Sequence, residues 1–330
     1  MLGRHFGRGL DGPVFDTDVA FDDLELRHAR DLVREHREWR AGRDILAAAR
    51  GQHEIRGRRF AVLADEAAED DGWLVAWMTA EPGNADAAVL FAAQLLTRAG
   101  NARGGATAAK TSAARFAAFH DLKAAAQEAS RRAIALAPDD PVPWTDLVGS
   151  MVGSSAGDAF GVAMGEGLRR DRYNFDLHLT AVTYLCQKWH GSHARMFAAA
   201  RMAHDGAPAG ASAHVVPVFA HFEYAMREFS WDLRTPATLR AVQGYFRRPD
   251  VLAEVDACAH RFAAGPRRRY GRVPACRSWL TLAYVLAGRK AAARAWFAEL
   301  MPHRAGVLPW EYFYPSANEG FRSAWHWANG

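Results

Sequence analysis

Apolar residues recur along this chain at the three- and four-residue spacing of helices, whereas alternating runs of β-branched residues are almost absent. Residues 21–40 illustrate the pattern, with acids early and arginines late, as the helix dipole favours. Their apolar stripe contains Leu24, Ala29, Leu32, Val33 and Trp39. The same spacing predicts helices over residues 43–55, 60–70, 73–80, 236–247 and 249–264. We therefore predict an all-α fold without strands.

The stretch from Ala126 to Trp144 predicts the end of one helix and the start of the next. Small residues share one face of the first helix and let a neighbouring helix approach closely; they are Ala126, Ser130 and Ala133. Pro138 ends this helix, and the Asp-Asp-Pro run after it supplies N-cap and first-turn residues. A short break between two helices predicts an antiparallel hairpin.

This hairpin resembles the tetratricopeptide repeat, which pairs two helices in about 34 residues with an early Trp, later Ala and a closing Pro. Pro208 follows Pro138 by two such periods, whereas Pro82 precedes it by one period and an excess of roughly 22 residues. The excess predicts an insertion near residues 100–110 and an overlong helix over residues 108–137. The resemblance, which extends to uncharacterised bacterial members, implies a right-handed α-solenoid of degenerate hairpins.

Three regions follow from these signals: an irregular segment and helical cap over residues 1–71, repeat-like hairpins over 72–229, and further hairpins with an aromatic tail over 230–330. The tail from Pro302 is rich in aromatic residues. They are Trp310, Tyr312, Phe313, Tyr314, Phe321, Trp325 and Trp327. We expect this tail to cap the open end of a solenoid, because a terminal repeat needs a cover. A binding surface is the alternative.

Composition and charge restrict the classes of protein to which this chain could belong. The 330-residue chain is mildly basic, with a net charge of +4, and only four of its 41 basic residues are lysines, a bias typical of GC-rich codon usage. Its three cysteines have neither a disulfide-like nor a zinc-like spacing; they are Cys186, Cys258 and Cys276. No apolar run is long enough for a membrane span, and residues 1–9 lack a secretory h-region. We expect a cytoplasmic protein without metal or cofactor.

The resemblance implies a protein or peptide partner in the groove formed by the first helix of each hairpin. Clamp-type recognition of a peptide carboxylate is not expected, because no Lys or Asn occupies the first groove positions, which are Val142, Thr145, Gly149 and Val152. The next hairpin predicts an apolar and aromatic patch, which we call the turn patch. It comprises Val182, Cys186, Trp189, His190 and His193. The alternative interpretation is a structural turn around a buried Trp189, covered by the insertion or the tail.

The sequence is also compatible with two other functions. An enzyme or small-molecule site could be lined by histidines and acids, with His221 near Glu223, although no catalytic motif is present and no catalytic residue is assigned. Weak nucleic-acid binding is the second, because arginines beside Tyr270 could hold phosphate and stack a base. This basic loop contains Arg267, Arg268, Arg269 and Arg272.

Overall fold

The computed structural model describes residues 14–105, 111–189, 191–230, 234–266, 271–304, 306 and 308–330. These residues form sixteen α-helices and no strand, so the prediction of an all-α fold is confirmed. The helices are α1 Leu24–His36, α2 Trp39–Ala47, α3 His53–Glu69, α4 Gly72–Ala80, α5 Ala85–Arg103, α6 Ala113–Leu136, α7 Val142–Met151, α8 Asp158–Arg170, α9 Phe175–Leu185, α10 His193–His204, α11 Val216–Ala225, α12 Pro236–Phe246, α13 Pro249–Ala263, α14 Val273–Leu286, α15 Lys290–Leu300 and α16 Ala317–Asn329. Among the described residues, every helix is too short or too polar to pass through a lipid bilayer.

The single helix predicted over residues 21–40 is wrong, because it divides at Arg37. This residue is left-handed, with φ 54°, and its N–H bonds back to the last turn of α1. The Arg37 side chain is held outside the helix by Asp70, whose Oδ2 lies 2.8 Å from Nη2. Glu38 then caps α2 by accepting a hydrogen bond from the N–H of Arg40.

Four helices pack in sequence along the middle of the chain. Helix α3 contacts α5, α5 contacts α7, and α7 contacts α9, while α6, α8 and α10 each pack on the helix before them. The starts of α3 and α5 are separated by close to one period of about 34 residues, and so are the starts of α7 and α9. The step from α5 to α7 is much longer, because α6 alone is 24 residues long.

A buried ion-pair cluster fixes the order of these helices. Arg56 of α3 donates to Asp86 of α5 and to Asp140 just before α7, over 2.5 and 2.6 Å, and Nη1 donates to the carbonyl of Leu46. These hydrogen bonds to two carboxylates and a carbonyl offset the cost of removing the Arg56 charge from water. The start of α7 is thereby held against α3.

The carboxyl-terminal part packs back on the earlier helices. Trp310 is fully buried, and its indole N–H donates to the Ser278 hydroxyl of α14 over 3.0 Å. The amino-terminal residues meet the same region: Phe15 packs edge-on against Phe321, with ring centroids 4.8 Å apart. Asp16 pairs through its backbone with residues 302–304, where an isolated bridge joins it to His303.

Candidate functional site

A cavity of about 220 Å³ lies where α3, α5, α7 and α9 meet. Its apolar lining residues are Phe60, Ala61, Ala64, Ala93, Leu96 and Val142. Three carboxyls also line it, from Asp65 of α3, Asp146 of α7 and Asp176 of α9. We call this space the acidic cavity. Its size is below the range of about 300–1,000 Å³ that is typical of drug-sized ligands.

Asp176 is already paired with a cation. Its carboxylate lies 2.7 Å from Nε of Arg272, the residue before α14, whose own backbone N–H donates to Glu54 of α3. The approach of Asp176 to α3 requires Gly57, because a Cβ there would lie 2.8 Å from Oδ2. Arg272 therefore joins the carboxyl-terminal half of the chain to one edge of the acidic cavity.

Asp65 is held in a second, weaker arrangement. Oδ1 accepts a hydrogen bond from the Thr97 hydroxyl of α5 over 3.3 Å. Burial raises the pKa of Asp65, and the positive charges of Arg58 and Arg272 oppose that rise. The Arg58 guanidinium lies over the Phe21 ring, 4.9 Å from its centroid, and burial lowers its pKa to about 9.

Asp146 differs from the other two carboxyls because no cation among the described residues pairs with it. Oδ2 is shielded from solvent and receives no hydrogen bond from the residues that the structure describes. Burial raises the pKa of Asp146 well above its usual value, and the nearby negative charges of Asp140 and Asp176 raise it further. A shielded oxygen with unused acceptor capacity is costly to a folded protein.

Local sequence explains how Asp146 reaches the cavity. Asp140 caps the start of α7 by accepting a hydrogen bond from the N–H of Val142 over 2.9 Å, and Pro141 and Pro143 suit the first turn of a helix. Residues 142 and 146 are four apart and so share one face. That face also carries Thr145, and both Val142 and Thr145 line the acidic cavity.

The turn patch predicted from the sequence is not an open surface. Val182 and Cys186 are buried, at 0% and 3% exposure, and therefore cannot contact a partner in this conformation. Burial raises the pKa of the Cys186 thiol to about 12, which leaves it a poor nucleophile. The tail covers this region, since the Tyr312 hydroxyl donates to Glu223 over 2.6 Å and Lys188 pairs with the same carboxylate.

The remaining residues of the turn patch are half-buried or undescribed. Trp189 stacks on Phe119 of α6, with ring centroids 6.2 Å apart, and the Arg103 guanidinium lies 5.3 Å from the Trp189 ring centroid. His193 pairs with Glu228, with 3.0 Å between Nε2 and Oε1. His190 lies outside the described residues. The described residues of the patch are therefore held by contacts within the fold, and Trp189 and His193 are only partly covered.

His221, which belongs to the alternative of a histidine-lined enzyme site, has both ring nitrogens occupied. The Tyr245 hydroxyl lies 2.6 Å from Nδ1, and Glu254 lies 3.1 Å from Nε2. The hydrogen bond from Arg201 and that from His221 lower the pKa of Glu254 to about 2. The acid hydrogen-bonded to His221 is thus Glu254, whereas Glu223 accepts a hydrogen bond from Tyr312. The described residues contain no group of three ligands suited to a metal ion.

Of the basic loop, only Arg272 falls within the described residues, and it is engaged by Asp176 rather than directed to solvent. Arg267, Arg268 and Arg269 lie outside them. Comparison of this chain with family models, curated proteins and solved structures finds no match. Inference of function therefore depends on the geometry of the acidic cavity.

Proposed function

We propose that this protein is a non-catalytic binding scaffold, and that the groove formed by α3, α5, α7 and α9 holds a segment of a protein partner. The observation that carries the proposal is the acidic cavity, which combines apolar lining residues with a shielded carboxyl oxygen that receives no hydrogen bond from the described residues. Interior polar groups are normally paired, so an unpaired one in a cavity suits an external donor.

The packing order of the helices supports a tetratricopeptide-like solenoid as the architecture of this scaffold. In such a solenoid, the first helices of successive hairpins pack side by side and line one surface. Helices α3, α5, α7 and α9 have this relation, and the acidic cavity opens between them. The right-handed sense and the capping role of the tail belong to the same proposal.

Selection of displayed random peptides on the intact protein tests the proposed function. We expect peptides whose binding is lost when the cavity is filled, by Leu96→Trp or, independently, by Ala61→Phe. Hydrogen exchange of the complex should show added protection on α3, α7 and α9. Far-ultraviolet circular dichroism establishes that each variant keeps its helical content. Recovery of peptides that bind both filled variants as well as the parent protein would overturn the proposal.

A further inference from the structure

Among the described residues, the charges around the acidic cavity leave one carboxyl oxygen without a partner. Asp176 is paired with Arg272, and Arg58 provides the largest opposing charge effect on Asp65. For Asp146, the described part of the chain supplies only the negative charges of Asp140 and Asp176. Those two acids are themselves held by Arg56 and Arg272. One additional cation beside Asp146 would give this carboxyl a positively charged partner as well.

The shape and polarity of the cavity restrict that cation. Beside the carboxyls, Phe60, Leu96 and Val142 line the cavity with apolar surface, which suits a methylene chain better than a hydrated inorganic ion. Lysine and arginine carry such a chain, and they bury it along apolar surface while the charged head contacts polar groups. A volume of about 220 Å³ accommodates one long side chain and excludes a folded element.

On the basis of the proposed function, we propose that the acidic cavity selects a partner peptide bearing a lysine or arginine side chain. The charged head of this side chain donates to Asp146, and its methylene stem lies against Phe60, Leu96 and Val142. Thr145 and Thr180 also line the cavity, although their hydroxyls already donate to the carbonyls of Pro141 and Asp176. An acidic side chain is rejected because the carboxyls of Asp65 and Asp146 face the same space. Specificity thus combines attraction of one charge with repulsion of the other.

The inference is tested on the peptides that depend on the open cavity. We expect each to contain a required Arg or Lys, and replacement of that Arg by citrulline, which keeps the shape and removes the charge, to weaken binding at least tenfold. Asp146→Asn should weaken binding of the arginine peptide to a similar extent, and it should weaken binding of the citrulline peptide little further. Asp121→Asn, at an exposed position on α6, is the matched control and should bind normally.

The outcomes separate this inference from the proposed function. Cavity-dependent peptides that lack a basic residue, or that bind Asp146→Asn unchanged, overturn the inference and leave the scaffold proposal standing. Absence of any cavity-dependent peptide overturns both. A parallel titration with agmatine distinguishes the source of the cation: if this free amine binds as tightly as the peptides and requires Asp146, the site serves a small molecule and the peptide assignment is wrong.

Discussion

Asp146 is a carboxyl in surroundings that disfavour its charge. Burial raises its pKa, as do the neighbouring charges of Asp140 and Asp176, so the folded protein holds the proton more tightly than the unfolded chain does. Ionisation of Asp146 therefore lowers the free energy of unfolding. This loss of unfolding free energy is absent when the pH is below the unfolded-state pKa, and it is complete when the pH is above the folded-state pKa. Residues that stabilise a complex often destabilise the free protein in this way.

We expect Asp146→Asn to raise the stability of the free protein, and to raise it more at pH 8 than at pH 4. At the lower pH, the wild-type carboxyl is largely neutral in the folded state and resembles the amide. At the higher pH, the gain should be of the order of 1 kcal/mol, the scale of a poorly satisfied buried polar group. Thermal unfolding followed by circular dichroism at both pH values measures it. A variant less stable than wild type at pH 8 would show that the Asp146 carboxylate has an internal partner.

Arg56 determines stability at the scale of elements, because it connects α3 to α5 and to the start of α7. We expect Arg56→Met, which keeps most of the apolar stem, to lower the free energy of unfolding by about 3–5 kcal/mol, since it breaks a buried ion-pair network and leaves Asp86 with only its exposed Arg50 partner. The effect should appear as an earlier midpoint in urea unfolding.

Arg50→Met is the matched control for that substitution. Arg50 pairs with the same Asp86 carboxylate over 2.7 Å, but its side chain is 63% exposed. Exposed pairs contribute about 0–1 kcal/mol. If both variants lost the same free energy, burial of the Arg56 guanidinium would not be the cause of its importance.

Helix positions could be predicted from the sequence because their signals are local. The apolar spacing and Pro236 and Pro249 predict α12 and α13, and both helices begin at those prolines. The division at Arg37 could not be predicted, because neither Gly nor Pro marks it. A contact with Asp70, far along the chain at the end of α3, holds the Arg37 side chain at this division.

The acidic cavity was missed for a related reason. Its three carboxyls come from separate helices, and a search for paired carboxylates within a motif does not find such a set. One signal was present: Asp146 shares a face with Val142, a position that the tetratricopeptide resemblance places in the groove. An acid on an inward-facing stripe is a better indication of a site than the turn patch, in which Cys186 is buried and His193 pairs with Glu228.

The aromatic tail contributes fully buried side chains, Trp310 and Phe321, to the core of the molecule. We expect Trp310→Ala to lower the free energy of unfolding by about 3–5 kcal/mol, because it removes a fully buried indole and leaves the Ser278 hydroxyl without its donor. Trp327→Ala, at a side chain that is 40% exposed, should change stability by less than about 0.5 kcal/mol.

Deletion of residues 302–330 extends that comparison. A tail that completes the core should leave the shortened chain aggregated or unfolded, since the covered faces of α14 and α15 become exposed. A soluble product with native helical content and a cooperative melting transition would show that the tail is a docking segment on a self-sufficient fold.

The pairing of Asp16 with residues 302–304 also delays one step in the folding of the newly made chain. Most of the sequence lies between the two partners, and synthesis at about 5–20 residues per second separates their appearance by roughly 15–60 s. During that interval, Phe15 and Phe21 have none of their carboxyl-terminal neighbours. Hairpins built from nearby helices can form as they emerge, but this closure must wait until residue 304 has been made. Protection of the early segment by a chaperone would matter most in that period.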